Sequence, residues 1–421
     1  MDSTDPRKTP KRPGEDARHR ARDGTGAAHG HAAPLALTVH DDLAAVDAAA
    51  WDALLQASPA PTPFMRHAYL QALHRSGSAT ADTGWSPLAC TLTDPHGTLQ
   101  AACMLYLKTH SYGEYVFDWA WADAFERAGH RYYPKLLGAV PFTPVPGSRL
   151  LARSDEARRG LLRGIETLMQ QSRLSSAHLL FVDDAERQAA HDAGWLLREG
   201  VQFHWENRPT ADGAVPYADF ADFLASLTRD KRKKIQQERR YVREAGIRFE
   251  ALPGPAITEA QWDFFHRCYV RTYREHHSTP YLTRAFFTAM ARDMPEHWLL
   301  MLAYQGDVPV AASLLALDPA QRVAYGRYWG AVAEVPHLHF AACYYEPLDW
   351  CIRHQWQRFE GGAQGEHKMA RGLLPVRTWS AHKLAHPAFN DAVARFLEHE
   401  EAGIEAYLGE LDGRSPFKRT P

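Results

Sequence analysis

The sequence predicts an α/β chain of the α+β kind, built as two tandem modules. Each is expected to hold a mixed, mostly antiparallel central sheet flanked by helices. Three observations lead there. A length of 421 residues is enough for two or three domains. Hydrophobic residues at 45% and charged residues at 23% fit a globular chain with a real core. One order of patterns (helix, hairpin, strand, helix, strand, strand) occurs twice, although the two halves barely match in sequence.

In the first half, residues 64–76 place Phe64, Tyr69, Leu70 and Leu73 near helical spacing. Residues 86–94 and 98–108 alternate as strands around a turn at 95–97. Residues 113–123 read as a third strand, with a helix at about 126–139 and later strands at 177–184 and 198–207. In the second half the helix is 281–293. The hairpin is 297–304 and 308–318, the third strand 322–332, the next helix about 339–356, and the late strands 358–364 and 377–384. Boundaries follow: a disordered tail over 1–34, a module over 35–210, a basic helical linker over 217–246 and a module over 247–421. In the linker, Phe220, Phe223, Leu224 and Leu227 form an apolar stripe. Eight cations between Arg229 and Arg243 follow, with Ile235 and Val242 seven apart and Gly246 as a stop. This segment is either a solvated helix or a contact for phosphate, on a nucleotide or on tRNA.

A net charge of −2 excludes a global field that recruits nucleic acid or anionic membrane. Five cysteines without a C-x-x-C pair fit free thiols in a reduced cytosolic chain. No apolar run approaches a membrane span, and the N-terminus shows no apolar signal core.

The densest chemistry lies in residues 359–372, FEGGAQGEHKMARG. Glu366 and His367 are the acid–base candidates for taking a proton from an amine. Gln364, Lys368 and Arg371 are candidates for holding an anion, with glycines allowing close backbone approach. His337 and His339 share a face if that stretch is extended. Tyr344 lies on the apolar face of the helix that follows. Arg327 and Tyr328 occupy the third strand of the second half; a buried arginine there requires an anion, either Glu360 or Glu366 or a substrate carboxylate. In the first half, Glu114 and Asp118 would share a strand face beside Trp119. They would bind an amine or sugar-peptide, with Glu114 as a further catalytic candidate and Lys135 and Arg149 as neighbouring binding residues. Otherwise these groups close on Lys108, Lys135 or Arg149 as internal ion pairs. No H-E-x-x-H helix or cysteine pairing points to a metal, and none is expected.

Several runs together resemble a bacterial FemAB-like family of peptidoglycan biosynthesis or recognition proteins within the GNAT acyltransferase superfamily. They are 110–125, 132–151, 201–207, 231–240, YGRYWG (325–330), PHLHF (336–340), 343–345 and GAQGEHKMARG (362–372). The resemblance implies two tandem GNAT-like modules. It also implies transfer of an acyl or aminoacyl group from a small-molecule donor, acetyl-CoA or another acyl-CoA or aminoacyl-tRNA, to an amine acceptor. The alternative it leaves open is a catalytically silent protein that recognises peptidoglycan fragments or peptides. Two departures bear on this. Ala341 stands where the family carries the glutamate of LHFE, and residues 331–339 replace the glycine-bearing pyrophosphate loop usual after such a strand.

Overall fold

The computed structural model describes residues 35–208, 215–362 and 365–418. The expected tail over 1–34 and the candidate Gln364 lie outside the described residues.

Strands in chain order are β1 (Ala36–His40), β2 (Trp85–Thr93), β3 (Leu99–Lys108), β4 (Lys135–Gly138), β5 (Leu150–Ala152), β6 (Ser176–Val182), β7 (Leu196–Glu206), β8 (Ile247–Pro253), β9 (Trp298–Gln305), β10 (Val308–Asp318), β11 (Val323–Ala331), β12 (Arg358–Glu360) and β13 (Leu374–Leu384). Helices are α1 (Ala48–Ala57), α2 (His67–Arg75), α3 (Trp119–Arg127), α4 (Asp155–Gln171), α5 (Asp184–Asp192), α6 (Phe220–Ser226), α7 (Arg229–Glu244), α8 (Glu259–Glu275), α9 (Arg284–Asp293), α10 (Leu338–Phe340), α11 (Glu346–Arg353) and α12 (Pro387–Gly413).

Both hairpins form where their turns placed them. Val308–Asp318 pairs antiparallel with β9 across the turn at Gly306, which adopts φ +61°. Each half lays down four antiparallel strands and then a parallel one. In the first half the run is β1-β2-β3-β4 with β6 parallel to β4; in the second it is β8-β9-β10-β11 with β12 parallel to β11. A parallel neighbour needs a crossover, and α4 and the α10–α11 helix supply it.

The last strand of each half crosses over. β13 pairs with β6, β7 pairs with β12, and β7 and β13 pair with each other. One continuous sheet results, in the order β1-β2-β3-β4-β6-β13-β7-β12-β11-β10-β9-β8, with β5 paired to β3 off that path. Helices α1, α2, α8 and α9 cover one face with a core common to both halves. Phe64 meets Tyr325 with ring centroids 5.0 Å apart, and Tyr69 meets Phe286 at 5.4 Å. The other face is covered by α4 and α5 in the first half and by α6, α7 and α11 in the second.

The expected third strand of the first half, 113–123, is a correction. Gly113 and Tyr115 take φ of +82° and +64°, which breaks extended backbone. Residues 119–127 then form α3, burying Trp121 and Phe125. The third position in the sheet is taken by β4, inside what the sequence reading made a helix at 126–139. The basic linker is helical as read. Ile235 and Val242 are buried, and Gly246, at φ +74°, follows the helix end. Among the described residues no helix is long and apolar enough to cross a membrane.

Candidate functional site

β11 and β12 run side by side only as far as Tyr325 and Glu360. Two features part them. On β11 the register against β10 slips between Leu314 and Leu315, so Arg327 is the extra residue of a bulge, a device that re-aims side chains. After β12 the chain turns away through Gly361 and Gly362 into a 3-10 turn, Glu366–Arg371. A Cβ on Gly361 would lie 2.6 Å from Leu373 Cδ2 and 3.2 Å from Lys368 Cδ, so only glycine lets this turn pack. The parting opens a cavity of about 270 Å³, lined among others by Arg327, Trp329, His339, Cys343, His367 and Lys368.

The helix beside the cavity carries a π turn, Ala341–Tyr345, between α10 and α11. Such an insertion rotates the residues around it relative to a regular helix. Here Cys343 and Tyr344 both come to line the opening. The Tyr344 hydroxyl lies 3.2 Å from His367 Nε2. Ala341, at the family's glutamate position, is buried in this same turn.

Charge on the walls is one-sided. Among the described residues no carboxylate lines the cavity, while Arg327 and Lys368 do. Lys368 is buried, and its ammonium donates to Gly362 O at 3.0 Å. Burial pushes its ammonium down to about 8. The imidazoles are held neutral: burial, with help from His367, Arg371 and Lys368, lowers His339 to about 4. His367 is lowered by burial and then by Arg371 and Lys368. The Cys343 thiol is pushed up to about 12 by burial, so it stays protonated.

The remaining sequence candidates divide. Arg371 does not share an anion with Lys368. Its Nη2 meets Glu238 at 3.3 Å, its Nη1 donates to His367 O at 2.7 Å, and its guanidinium lies 3.6 Å from the centre of the Phe340 ring. Tyr345 also donates to the Glu238 carboxylate. Arg371 therefore fastens the 366–371 turn to α7. Glu366 is outside the cavity lining, exposed and 3.3 Å from Arg414. His337 and His339 do not share a face. His337 takes φ +65° at the helix start and stacks on Tyr241 of α7, whereas His339 packs against Trp329 and Tyr344.

In the first half the internal pairing prevails. Lys135 Nζ lies 2.7 Å from Glu114 and 2.5 Å from Asp118, with all three side chains at most 3% exposed. Burial alone would raise Asp118, but Lys135 and His178 hold it well below the carboxylate range; burial pushes Glu114 up to about 7. Arg149 is not part of this cluster and donates to the carbonyls of Val145, Gly147 and Leu180. Trp119 is 48% exposed in the first turn of α3, with its ring centroid 4.8 Å from that of Phe117. None of these residues lines the β11–β12 cavity.

Sequence reasoning missed Glu238 and Tyr345 as supports and Ser313, Trp329 and Cys343 as lining residues. For Glu238 a signal existed: it lies on the Ile235–Val242 stripe, at the i+3 position of an i, i+3, i+7 series.

Comparison with known proteins now adds to this geometry. The FemAB-like family, described as peptidoglycan biosynthesis/recognition, matches residues 42–419. The chain belongs to the FemAB-like family. No curated protein sequence matches it. Among solved structures, L-PGS from Bacillus licheniformis is 10% identical, with a TM-score of 0.50 over 83% of this chain and 97% of that one. A tandem GNAT protein from the clavulanic acid biosynthesis pathway is 12% identical, with a TM-score of 0.44 over 84% of this chain and 99% of that one. The fold of this FemAB-like chain is a mixed, mostly antiparallel sheet flanked by helices, laid down as two similar halves.

An acyl-CoA donor is among the expectations raised by the sequence, and two parts of the structure speak to its fit. Beyond Tyr325, β11 has no strand partner on the β12 side among the described residues, which suits an extended arm, although Trp329 O accepts from Thr272 Oγ1 at 2.9 Å. The loop at 331–337, where the sequence resemblance would put a pyrophosphate-holding loop, does not fit. It has no glycine, it carries Glu334, and nearby Arg271 is engaged by Glu275 at 2.6 Å and by Val332 O.

Proposed function

We propose that this chain transfers an acyl or aminoacyl group to an amine on a cell-envelope precursor, at the opening between β11 and β12. Membership of the FemAB-like family supports the reaction class. The observation that carries the site is the conjunction there of parted parallel strands, neutral imidazoles and cations without a carboxylate.

In this reading His367 accepts the proton that the amine loses, because its environment keeps the ring unprotonated near neutral pH. Tyr344 orients that ring through its hydroxyl. As the new C–N bond forms, the bond from the acyl carbon to the donor's sulfur or oxygen breaks. Lys368, charged at neutral pH but with a lowered affinity for its proton, supplies one to the departing atom. Amides of β11 beyond Tyr325 serve in this reading as the donors that a developing oxyanion requires. Glu366, exposed on Arg414, supports the turn from outside.

The loop at 331–337 favours a donor other than acyl-CoA, and α7 supplies a phosphate contact for aminoacyl-tRNA. Lys233, Arg240 and Arg243 border one groove on that helix. A transfer assay with acetyl-CoA, a longer acyl-CoA and aminoacyl-tRNA, each with a muropeptide amine, tests the proposal. Amide formation with any donor that is lost in His367→Ala supports it. Binding of muropeptide without transfer from any of the three would replace it with the recognition reading, which the buried Ala341 favours.

A further inference from the structure

Arg327 is the one charged residue that the β11 bulge turns toward the first half. Its Nη2 donates to Phe142 O at 2.7 Å, to Thr143 Oγ1 at 3.1 Å and to the Tyr328 hydroxyl at 3.2 Å. All three acceptors are neutral. The Arg327 Nε is buried without a partner. Among the described residues it has no ion pair. Of the two carboxylates that the sequence offered, Glu360 lies 3.0 Å from Arg358 and Glu366 lies 3.3 Å from Arg414.

A guanidinium removed from water among uncharged acceptors is costly unless an anion joins it. It offers five donors in a planar fork, and the hydrogen bonds it makes in this structure all come from Nη2. A single cation in neutral surroundings is balanced by a single negative charge, which a planar carboxylate provides with matching geometry. A phosphate dianion would need a second cation. The other cation on the cavity wall, Lys368, is turned to Gly362 O at 3.0 Å, while Arg327 is turned to Phe142 O and Thr143 Oγ1 of the first half.

We propose that Arg327 is the recognition residue for a free carboxylate on the substrate, so that the amine acceptor is an amino acid or a peptide with an unblocked acid group near its amine. This rests on the β11–β12 opening being the site of transfer.

Labelling with [15N]arginine allows Nε–H signals to be followed, that of Arg327 being the one absent in Arg327→Lys. Glycylglycine, glycylglycinamide and inorganic phosphate are titrated separately up to roughly 50 mM. A pair of charge-assisted hydrogen bonds gives an affinity on the order of 1 mM, so saturation is reached in that range. The expected result is that glycylglycine moves the Arg327 signal, the amide leaves it in place and phosphate moves it less. An unmoved signal, equal movement by the amide, or a larger response to phosphate overturns the proposal, the last in favour of a donor phosphate. In the transfer assay, Arg327→Lys should lower kcat/KM at least tenfold for an acceptor with a free carboxylate and by a clearly smaller factor for the amidated acceptor. Equal losses for both would also overturn it. The titration needs no turnover. Carboxylate binding without transfer therefore refutes the transfer reading alone, and transfer indifferent to the carboxylate refutes recognition alone.

Discussion

Lys135→Met offers a measurement that separates scaffold from site in the first half. Lys135 is fully buried between two carboxylates that are 1% and 3% exposed, at 2.7 and 2.5 Å. Solvent screening is negligible at that burial, so the pair is worth far more than a surface bridge. Removing one member of such a group leaves uncompensated buried charge and costs about 3–5 kcal/mol. Asp118→Asn removes a charge from the other side and weakens the bonds from Ser111 and Tyr132, at about 1.5–3 kcal/mol. Without Lys135 the neutral asparagine is better tolerated than the aspartate. The double variant should therefore be more stable than the sum of single losses implies, by about 1–3 kcal/mol. Urea unfolding at pH 7, followed by far-UV circular dichroism, completes the cycle. Losses below about 1 kcal/mol for Lys135→Met, or additivity within about 0.5 kcal/mol, would refute the scaffold assignment. So would a variant that keeps its stability and loses only substrate binding.

Three further outcomes are expected. His367→Ala and Lys368→Met should each cut the transfer rate at least tenfold while circular dichroism and melting temperature stay near wild type, a split that ordinary destabilisation would not produce. Acid should weaken the sheet through His178, which burial and Lys135 hold down to about 3 and whose Nδ1 sits 2.8 Å from His382 Nδ1 across β6 and β13. Its folded pKa lies below the unfolded value, so this stability is complete above about 6.5 and declines as pH falls toward 3. His178→Gln should flatten the unfolding free energy between pH 7 and 5 by about 2 kcal/mol, read from urea curves at both pH values. On α7, replacing Lys233, Arg240 and Arg243 together by glutamate should weaken tRNA binding and reduce the slope of log affinity against log salt by roughly 2–3, measured by fluorescence anisotropy; an unchanged slope would remove α7 from the RNA path.

Much of the fold was legible because hairpins declare themselves locally. Residues 308–318 are an apolar run that follows the turn at 305–307 and ends at Asp318, and β10 has the same bounds. The third strand of the first half misled because Tyr115, Val116, Phe117, Trp119 and Trp121 have the composition of a strand. The decision came instead from left-handed backbone at Gly113 and Tyr115 and from a distant partner, Lys135. The candidate run at 359–372 could be located by its glycines and charges. Which of its side chains faces inward could not, since that depends on Glu238 of α7 drawing Arg371 away and on Arg414 of the distal end holding Glu366 outside. Exchange of β7 and β13 leaves no local mark at all, because each strand has the same alternation whichever neighbour it meets.

That exchange also has a consequence in time. β13 is the last strand to be synthesised, yet it lies in the middle of the sheet between β6 and β7. Until residues 374–384 have left the ribosome, β6, whose seven residues are all buried in the finished protein, presents an open edge. A nascent chain with such an edge pairs readily with other chains. Translation that pauses before residue 374 should therefore yield a chaperone-dependent intermediate, and the C-terminal segment acts as the closing clasp of a structure begun more than 300 residues earlier.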